Sequence, residues 1–428
     1  MRTFYKTLVL GVFLAALAVA SPTFAQDVCA DLPANQALYD QYINNYKGTL
    51  EQKKTAVKAG KEYIEKYGAC EAFAQQVDYL KKAVPKKEEE VKNEEMAIAQ
   101  KARYERFNTA LKAKNTPEIF ASGEDILKYE PDFLDLIITL ATIGLDEAAV
   151  KQSDTFNGKT IDYAKSAIKK IESGVTSKKY GLEGYDYDTK DNTLGWMNYT
   201  IGYIEYYRQK NKESGLTDLY KATQYNSETK DRDFIYALIG DKYIEKADAL
   251  NKEIVIIIDK EKKETFESKS KLAMSKGYAD RAIEAYAKAY EVAKANMNKE
   301  KDAAKKAKMK EYTDNLYSTL KGLYKFRYET VENPIPDTDL VTKLNSHIAS
   351  VTSKPLTNPS TEVTPVDPPS EDEKTTDSTT SSTTTTTTPA AAKTPAPTMT
   401  KPVTKTTTNG AAVKTEADKT NNKPKRKR

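Results

Sequence analysis

Tyr236-Ala-Leu-Ile239-Gly240-Asp-Lys-Tyr243 is the passage that decides how this chain is read. Tyr236, Ile239 and Tyr243 follow steps of three and four, which place them on one face of a helix. Gly240 sits beside that face. A helix with such a stripe cannot bury it alone and must stack on neighbours. The surrounding sequence agrees. From Gln26 to about Glu332, Ala, Lys, Glu, Leu and Tyr dominate and apolar residues recur at three and four, with no convincing period-two segment. Glycines such as Gly68, Gly174 and Gly277 read as turns. The expectation is an all-α chain.

The Tyr236–Tyr243 stretch resembles the first-helix half of a tetratricopeptide repeat, W-x2-L-G-x2-Y, with Tyr for Trp and Ile for Leu. Tyr317-x2-Leu320-Lys321-x2-Tyr324 resembles a second such half, with Lys in place of Gly, and Ile201-Gly202 keeps the central pair. The second-helix pattern A-x3-F-x2-A shows best at Ala282-x3-Tyr286-x2-Ala289, where small residues let paired helices approach. Phe120 through Tyr129, closed by Pro131, reads the same way. The resemblance runs from about Leu38 to Tyr328 and implies a tetratricopeptide-like helical-hairpin solenoid that scaffolds other proteins without catalysis. The spacing departs from the family period of about 34 residues. The Ala282 pattern comes about 30 residues late after Tyr236, and the next first-helix half is late as well. Residues 250–278 and 295–312 are rich in Lys and Glu, so they read as a lengthened, charged helical pair, or else as an inserted disordered segment.

Arg2 and Lys6, an apolar run from Leu8 to Ala20 and a small-residue exit at Ala25 describe a signal peptide over residues 1–25. Its removal would lower the formal net charge from +5 to +3, which argues against a nucleic-acid partner. No other segment reaches membrane length, so no membrane span is expected in the mature chain. The expected location is periplasmic, envelope or extracellular. There, Cys29 and Cys70, the two cysteines of the chain, read as a disulfide rather than two free thiols. They flank a predicted hairpin of helices from about Pro33 to Tyr46 and Glu51 to Tyr67. The domain plan is a stapled hairpin over 26–80, a charged linker helix over 81–98 with Pro85 at a helix start, and a solenoid over 99–332. A short helical transition over 333–354 and a disordered tail over 355–428 follow. The tail has a Thr run at Thr383–Thr388 and a basic end, Lys423 to Arg428. It is either a solubilising extension or a contact for an anionic envelope polymer.

Little in the sequence carries catalysis. His347 is the sole histidine, which removes Ser-His-Asp and Cys-His systems and most zinc sites. No HExxH, GxSxG, P-loop or dinucleotide fingerprint is present. The expectation is no enzyme activity, no metal and no cofactor. Asp186-Tyr-Asp188-Thr-Lys190-Asp191-Asn192 has alternating oxygens like a calcium loop but lacks the turn glycine and a Glu at the twelfth position, so it reads as a polar loop. Trp196, Tyr199, Tyr203 and Tyr206 share one helical face, joined by Tyr207 through a step from Tyr203. These aromatics either pack the core or line a groove for a protein or peptide partner. Two functions remain: an exported scaffold using its solenoid surface, or an envelope-structural protein whose Thr/Pro-rich tail contacts wall or surface polymer.

Overall fold

Twelve α-helices follow one another in a computed structural model that describes residues 28–330 and 332–370, and no strand occurs among those residues. The predicted signal peptide and residues 371–428 of the predicted tail lie outside the described residues. The chain divides into two compact units, residues 1–118 and 119–428.

In the first unit, α1 (Leu32–Asn45) and α2 (Leu50–Tyr67) form the expected hairpin. Asp31 caps α1 by accepting from the Ala34 N–H, and Thr49 with Gln52 forms a capping box on α2, satisfying amides that would otherwise be orphaned. Cys29 and Cys70 are joined at the hairpin's open end, with Cα atoms 5.5 Å apart. The third helix corrects the sequence reading. Residues 81–98 are not a solvated linker; they belong to α3 (Ala74–Ala113), a single helix of 40 residues that carries Pro85 in its interior. Val77, Leu80 and Val84 recur at three and four ahead of that proline and pack on Tyr42, Ala59 and Tyr63. The helix is therefore established by packing before the proline interrupts one of its hydrogen bonds. Beyond it, Lys53 pairs with Glu90 and Glu94, and Lys61 with Glu88, tying α2 to α3. Even Lys87 is buried, its ammonium 3.8 Å from the centre of the Tyr46 ring.

The second unit stacks α5 (Leu134–Ala149), α6 (Asn157–Glu172), α7 (Lys190–Tyr203) and α8 (Lys212–Ala222) as successive antiparallel neighbours, with α4 (Thr116–Tyr129) entering it at residue 119. Then come α9 (Asp233–Glu261), α10 (Phe266–Lys299), α11 (Ala303–Tyr328) and α12 (Asp337–Thr352). Each packs on the next in chain order around one continuous apolar core, an all-α helical solenoid. The lengthened pair is real: α9 has 29 residues and α10 has 34, and residues 250–278 are helical apart from the turn at 262–265 that joins the two. The late spacing after Tyr236 follows from that length. Residues 295–312 hold instead the turn from α10 to α11, where Asp302 caps the new helix by accepting from the Lys305 N–H. At the far end of α9, Val255 and Ile256 are exposed.

Asp233 opens α9, and burial pushes its carboxyl up to about 6, against the opposing pull of the amides of Phe234 and Asp233. A folded-state value above the ordinary one means the ionised group opposes folding at neutral pH and that the opposition disappears as pH falls through 6 toward 4. Asp233→Asn should therefore stabilise the protein by roughly 1–3 kcal/mol at pH 8 and by nothing at pH 4. Urea unfolding at the two pH values checks this; an equal effect at both would remove the carboxyl's role.

Two further readings change. Gly277 is not at a turn but inside α10. A Cβ there would overlap the Thr364 carbonyl oxygen and touch Val363 Cγ1 at 3.0 Å. Nor does the tail begin at Pro355. After α12, whose stripe of Leu340, Leu344 and Ile348 is buried, residues 355–370 return along α10 as a strap. Leu356 and Val363 are buried in the main core. Composition missed this because three apolar side chains spread among polar ones, with main-chain and hydroxyl hydrogen bonds, suffice to seat it.

Candidate partner-binding site

The repeat-like residues come together across α9, α10 and α11. Ile239 is fully buried and Tyr236 nearly so, its hydroxyl donating to the Lys230 carbonyl oxygen at 2.9 Å. Gly240 faces Tyr286: an added Cβ would lie 2.5 Å from Cε2 of that ring and closer still to Cδ2. The Tyr286 hydroxyl donates to Asp241 Oδ1 at 2.6 Å, which fixes the ring over the glycine. Burial and the Asp241 carboxylate hold that phenol well above its usual range. Ala282 and Ala289 are fully buried on the same helix. Tyr243 is buried, its ring 6.3 Å from that of Tyr278. On α11, Leu320 is fully buried and Tyr324 nearly so, while Tyr317 is half-buried with its hydroxyl donating to Asn345 Oδ1 at 2.9 Å. The degenerate Ile201-Gly202 pair is also a close approach, here against backbone rather than a ring. A Cβ on Gly202 would meet the Leu219 nitrogen at 2.6 Å and the Gly215 carbonyl oxygen at 2.8 Å, so α7 and α8 touch backbone to backbone.

The aromatic stripe divides into two parts. Trp196 and Tyr199 are buried, and they clasp the buried Arg232, whose guanidinium carbon lies 4.6 Å and 4.7 Å from the two ring centres. As groove residues they are corrected: their faces are taken by a core cation–π contact. Tyr203, Tyr206 and Tyr207 are half-buried. They sit where α7 widens into a π turn at Ile204–Arg208, closed by the Gln209 N–H on the Ile204 carbonyl oxygen at 2.9 Å. The extra residue in that turn moves Tyr206 and Tyr207 off the register that a regular helix would give. Ring centres of Tyr203 and Tyr207 are 4.9 Å apart, and those of Tyr206 and Tyr207 are 4.7 Å apart. Gly215 of α8 presses on Tyr206, its absent Cβ leaving 2.6 Å to the Tyr206 nitrogen.

The three rings carry polar neighbours on two sides. Burial, then the Asp241 and Glu245 carboxylates, push the Tyr206 phenol up to about 12, so it remains a neutral donor. On the other side Arg208 holds Asp154 Oδ1 at 2.7 Å and the Gln152 carbonyl oxygen at 2.5 Å, and Lys210 donates to the Tyr207 carbonyl oxygen. The arrangement suits association through aromatic faces and hydroxyl hydrogen bonds.

Other polar sequences have structural employment. Asp186 accepts from the Gly184 N–H, Asp188 accepts from Asn192 Nδ2, and the Tyr187 hydroxyl lies 3.1 Å from Thr142 Oγ1. These groups shape the turn that leads into α7. His347 packs against Tyr324 and Tyr328, with ring centres 5.5 Å away in each case, and burial lowers its affinity for a proton. Among the described residues no group of three His, Cys, Asp or Glu side chains is placed to hold a metal ion, and no helix is long and apolar enough to cross a membrane.

Sequence reasoning missed the groove beneath the strap, formed by Tyr220 of α8 with Gly277, Arg281 and Glu284 of α10. Its one legible signal was Gly277, an isolated glycine inside a helical pattern that asks for a packing reason. Comparison of the chain with protein-family models, curated proteins and solved structures gives no match.

Proposed function

We propose that the protein is an exported, non-enzymatic scaffold of tetratricopeptide-like hairpins that holds a protein or peptide partner on the surface of its second unit. The observation that carries this reading is the half-buried tyrosine trio at the π turn. The solenoid closes Trp196, Tyr199 and Tyr236 into its core, yet leaves Tyr203, Tyr206 and Tyr207 on its surface with polar groups at their edges. Partly exposed aromatic clusters of this kind are where association energy concentrates. The Cys29–Cys70 bridge supports export. The hairpin crossing at Gly240 and Tyr286 supports the repeat resemblance.

The test is crosslinking in cells followed by mass spectrometry. It compares the full chain, a Tyr203→Ala/Tyr207→Ala variant, a chain ending at Ser370, and residues 371–428 alone. In pull-downs from envelope extract on the immobilised proteins, the chain ending at Ser370 is expected to keep the crosslinked partners at 0.1 M and 1 M salt. The double variant should lose at least tenfold in capture, and the isolated tail should retain only salt-labile polymer. Screening separates these outcomes because the Debye length shrinks from about 10 Å at 0.1 M to about 3 Å at 1 M. Capture of the same proteins by the tail alone would replace the scaffold with the envelope-structural reading, in which the strap anchors a polymer-gripping tail.

A further inference from the structure

The strap over α10 is bound the way a ligand is bound. Its main chain supplies four hydrogen bonds. The Tyr220 hydroxyl donates to the Leu356 carbonyl oxygen at 3.0 Å, and the Thr357 N–H donates to Glu284 Oε1 at 2.6 Å. Arg281 donates to the Glu362 carbonyl oxygen at 3.1 Å, and the Val366 N–H donates to the Ala273 carbonyl oxygen at 2.9 Å. Three hydroxyls add to these, Thr357 on the Glu284 carboxylate, Thr361 accepting from Arg281, and Ser360 3.4 Å from Thr217 Oγ1. Leu356, Pro359 and Val363 are buried, and the Thr361 N–H on the Asn358 carbonyl oxygen at 3.0 Å folds a turn between the first and the last. A groove of this design reads a turned segment by its backbone, three hydroxyls and three buried apolar side chains, with little demand on the rest.

Two features make the occupant exchangeable. No helix is built from the strap, so its departure unravels no secondary structure; α12 ends at Thr352, before it begins. Its docking is also finely balanced. The ordering entropy of the residues from 356 to 366 is comparable in size to the gain from three buried apolar side chains and a handful of hydrogen bonds. The groove side, in contrast, is built into the fold, and Gly277 stands in mid-helix where alanine would favour the helix but would block the strap.

We propose that this α8–α10 groove is a gated peptide site: residues 356–366 occupy it until a partner segment with a central turn, apolar side chains on both sides of it and threonine- or serine-type hydroxyls at matching positions displaces them. The proposal rests on the scaffold reading and names its surface and partner class. A labelled peptide of residues 355–368 serves as the probe. In the full chain, Leu356→Asp/Val363→Asp empties the groove without altering its walls. The peptide should bind that variant at least tenfold more tightly than the unaltered chain, and adding Gly277→Val should abolish the binding. Equal affinity for both chains, or no binding to the emptied one, overturns the proposal. Hydrogen exchange on the unaltered chain needs no variant. The Thr357 and Val366 amides should exchange at least a hundredfold faster than buried amides of α10 and lose protection further as peptide is added. Protection equal to that of α10 would show the strap to be a fixed part of the fold and would overturn the gate. Failure here, alongside loss of in-cell crosslinks in the Tyr203→Ala/Tyr207→Ala variant, leaves the scaffold reading standing with its surface at the π turn.

Discussion

Replacing Cys29 and Cys70 with serine is expected to cost the N-terminal unit about 4 kcal/mol, by the loop-closure entropy of a bridge spanning 41 residues. That unit has few other resources. Its core comprises Tyr42, Tyr63, Tyr67, Phe73, Val77, Leu80 and a few small residues, with Cys70 among them. A core of that size leaves only a small surplus over chain entropy, and small domains commonly depend on a covalent staple for this reason. The surface ion pairs between α2 and α3 do not replace it, since exposed pairs contribute about 0–1 kcal/mol each. Denaturant unfolding with hydrogen exchange should show amides of α1 and α2 losing protection while those of α5 to α11 keep theirs. Alkylation of the folded, unreduced protein should label neither cysteine. Unchanged protection in α1 after the double substitution would show that the hairpin closes without its bridge.

Gly240→Leu should destabilise the second unit by roughly 1–3 kcal/mol through overpacking, in spite of a helix-propensity gain of about 1 kcal/mol. The new side chain would enter the space of the Tyr286 ring, which cannot swing aside cheaply because its hydroxyl is bound to Asp241 and its faces are buried. The structure supplies the control. Gly322 lies in α11 with nothing within 4 Å of a Cβ built on it, so Gly322→Leu should be stabilising by up to about 1 kcal/mol. Melting temperatures of the two variants should move in opposite directions. A rise for Gly240→Leu would mean that the crossing of α9 and α10 is not as described.

The helices were legible because a stripe such as Tyr236, Ile239 and Tyr243 repeats on a helical period, and the hairpin at α1 and α2 was legible because Thr49 and Gly68 bracket the second helix. What escaped the sequence depended on partners distant along the chain. Pro85 looked like a helix start because nothing local reveals that Val77, Leu80 and Val84 are already packed on α2. Gly277 looked like a turn because its reason is the backbone of Thr364, 87 residues later. The tyrosine stripe could not be divided from periodicity alone: Arg232, far from Trp196 in sequence, claims two of its rings, and the π turn redirects two others.

The strap also orders assembly. Most hairpins of the second unit join neighbours adjacent in the chain, contacts of low sequence separation that form quickly and can form while later residues are still being made. The strap is the exception, since it bonds Thr217 and Tyr220 across 143 and 136 residues. It cannot close until synthesis has passed Ser360, by which time the rest of the solenoid has been made. Maturation therefore has a late, separate step, and a chain cut short before that point would present an open groove from the moment it folds.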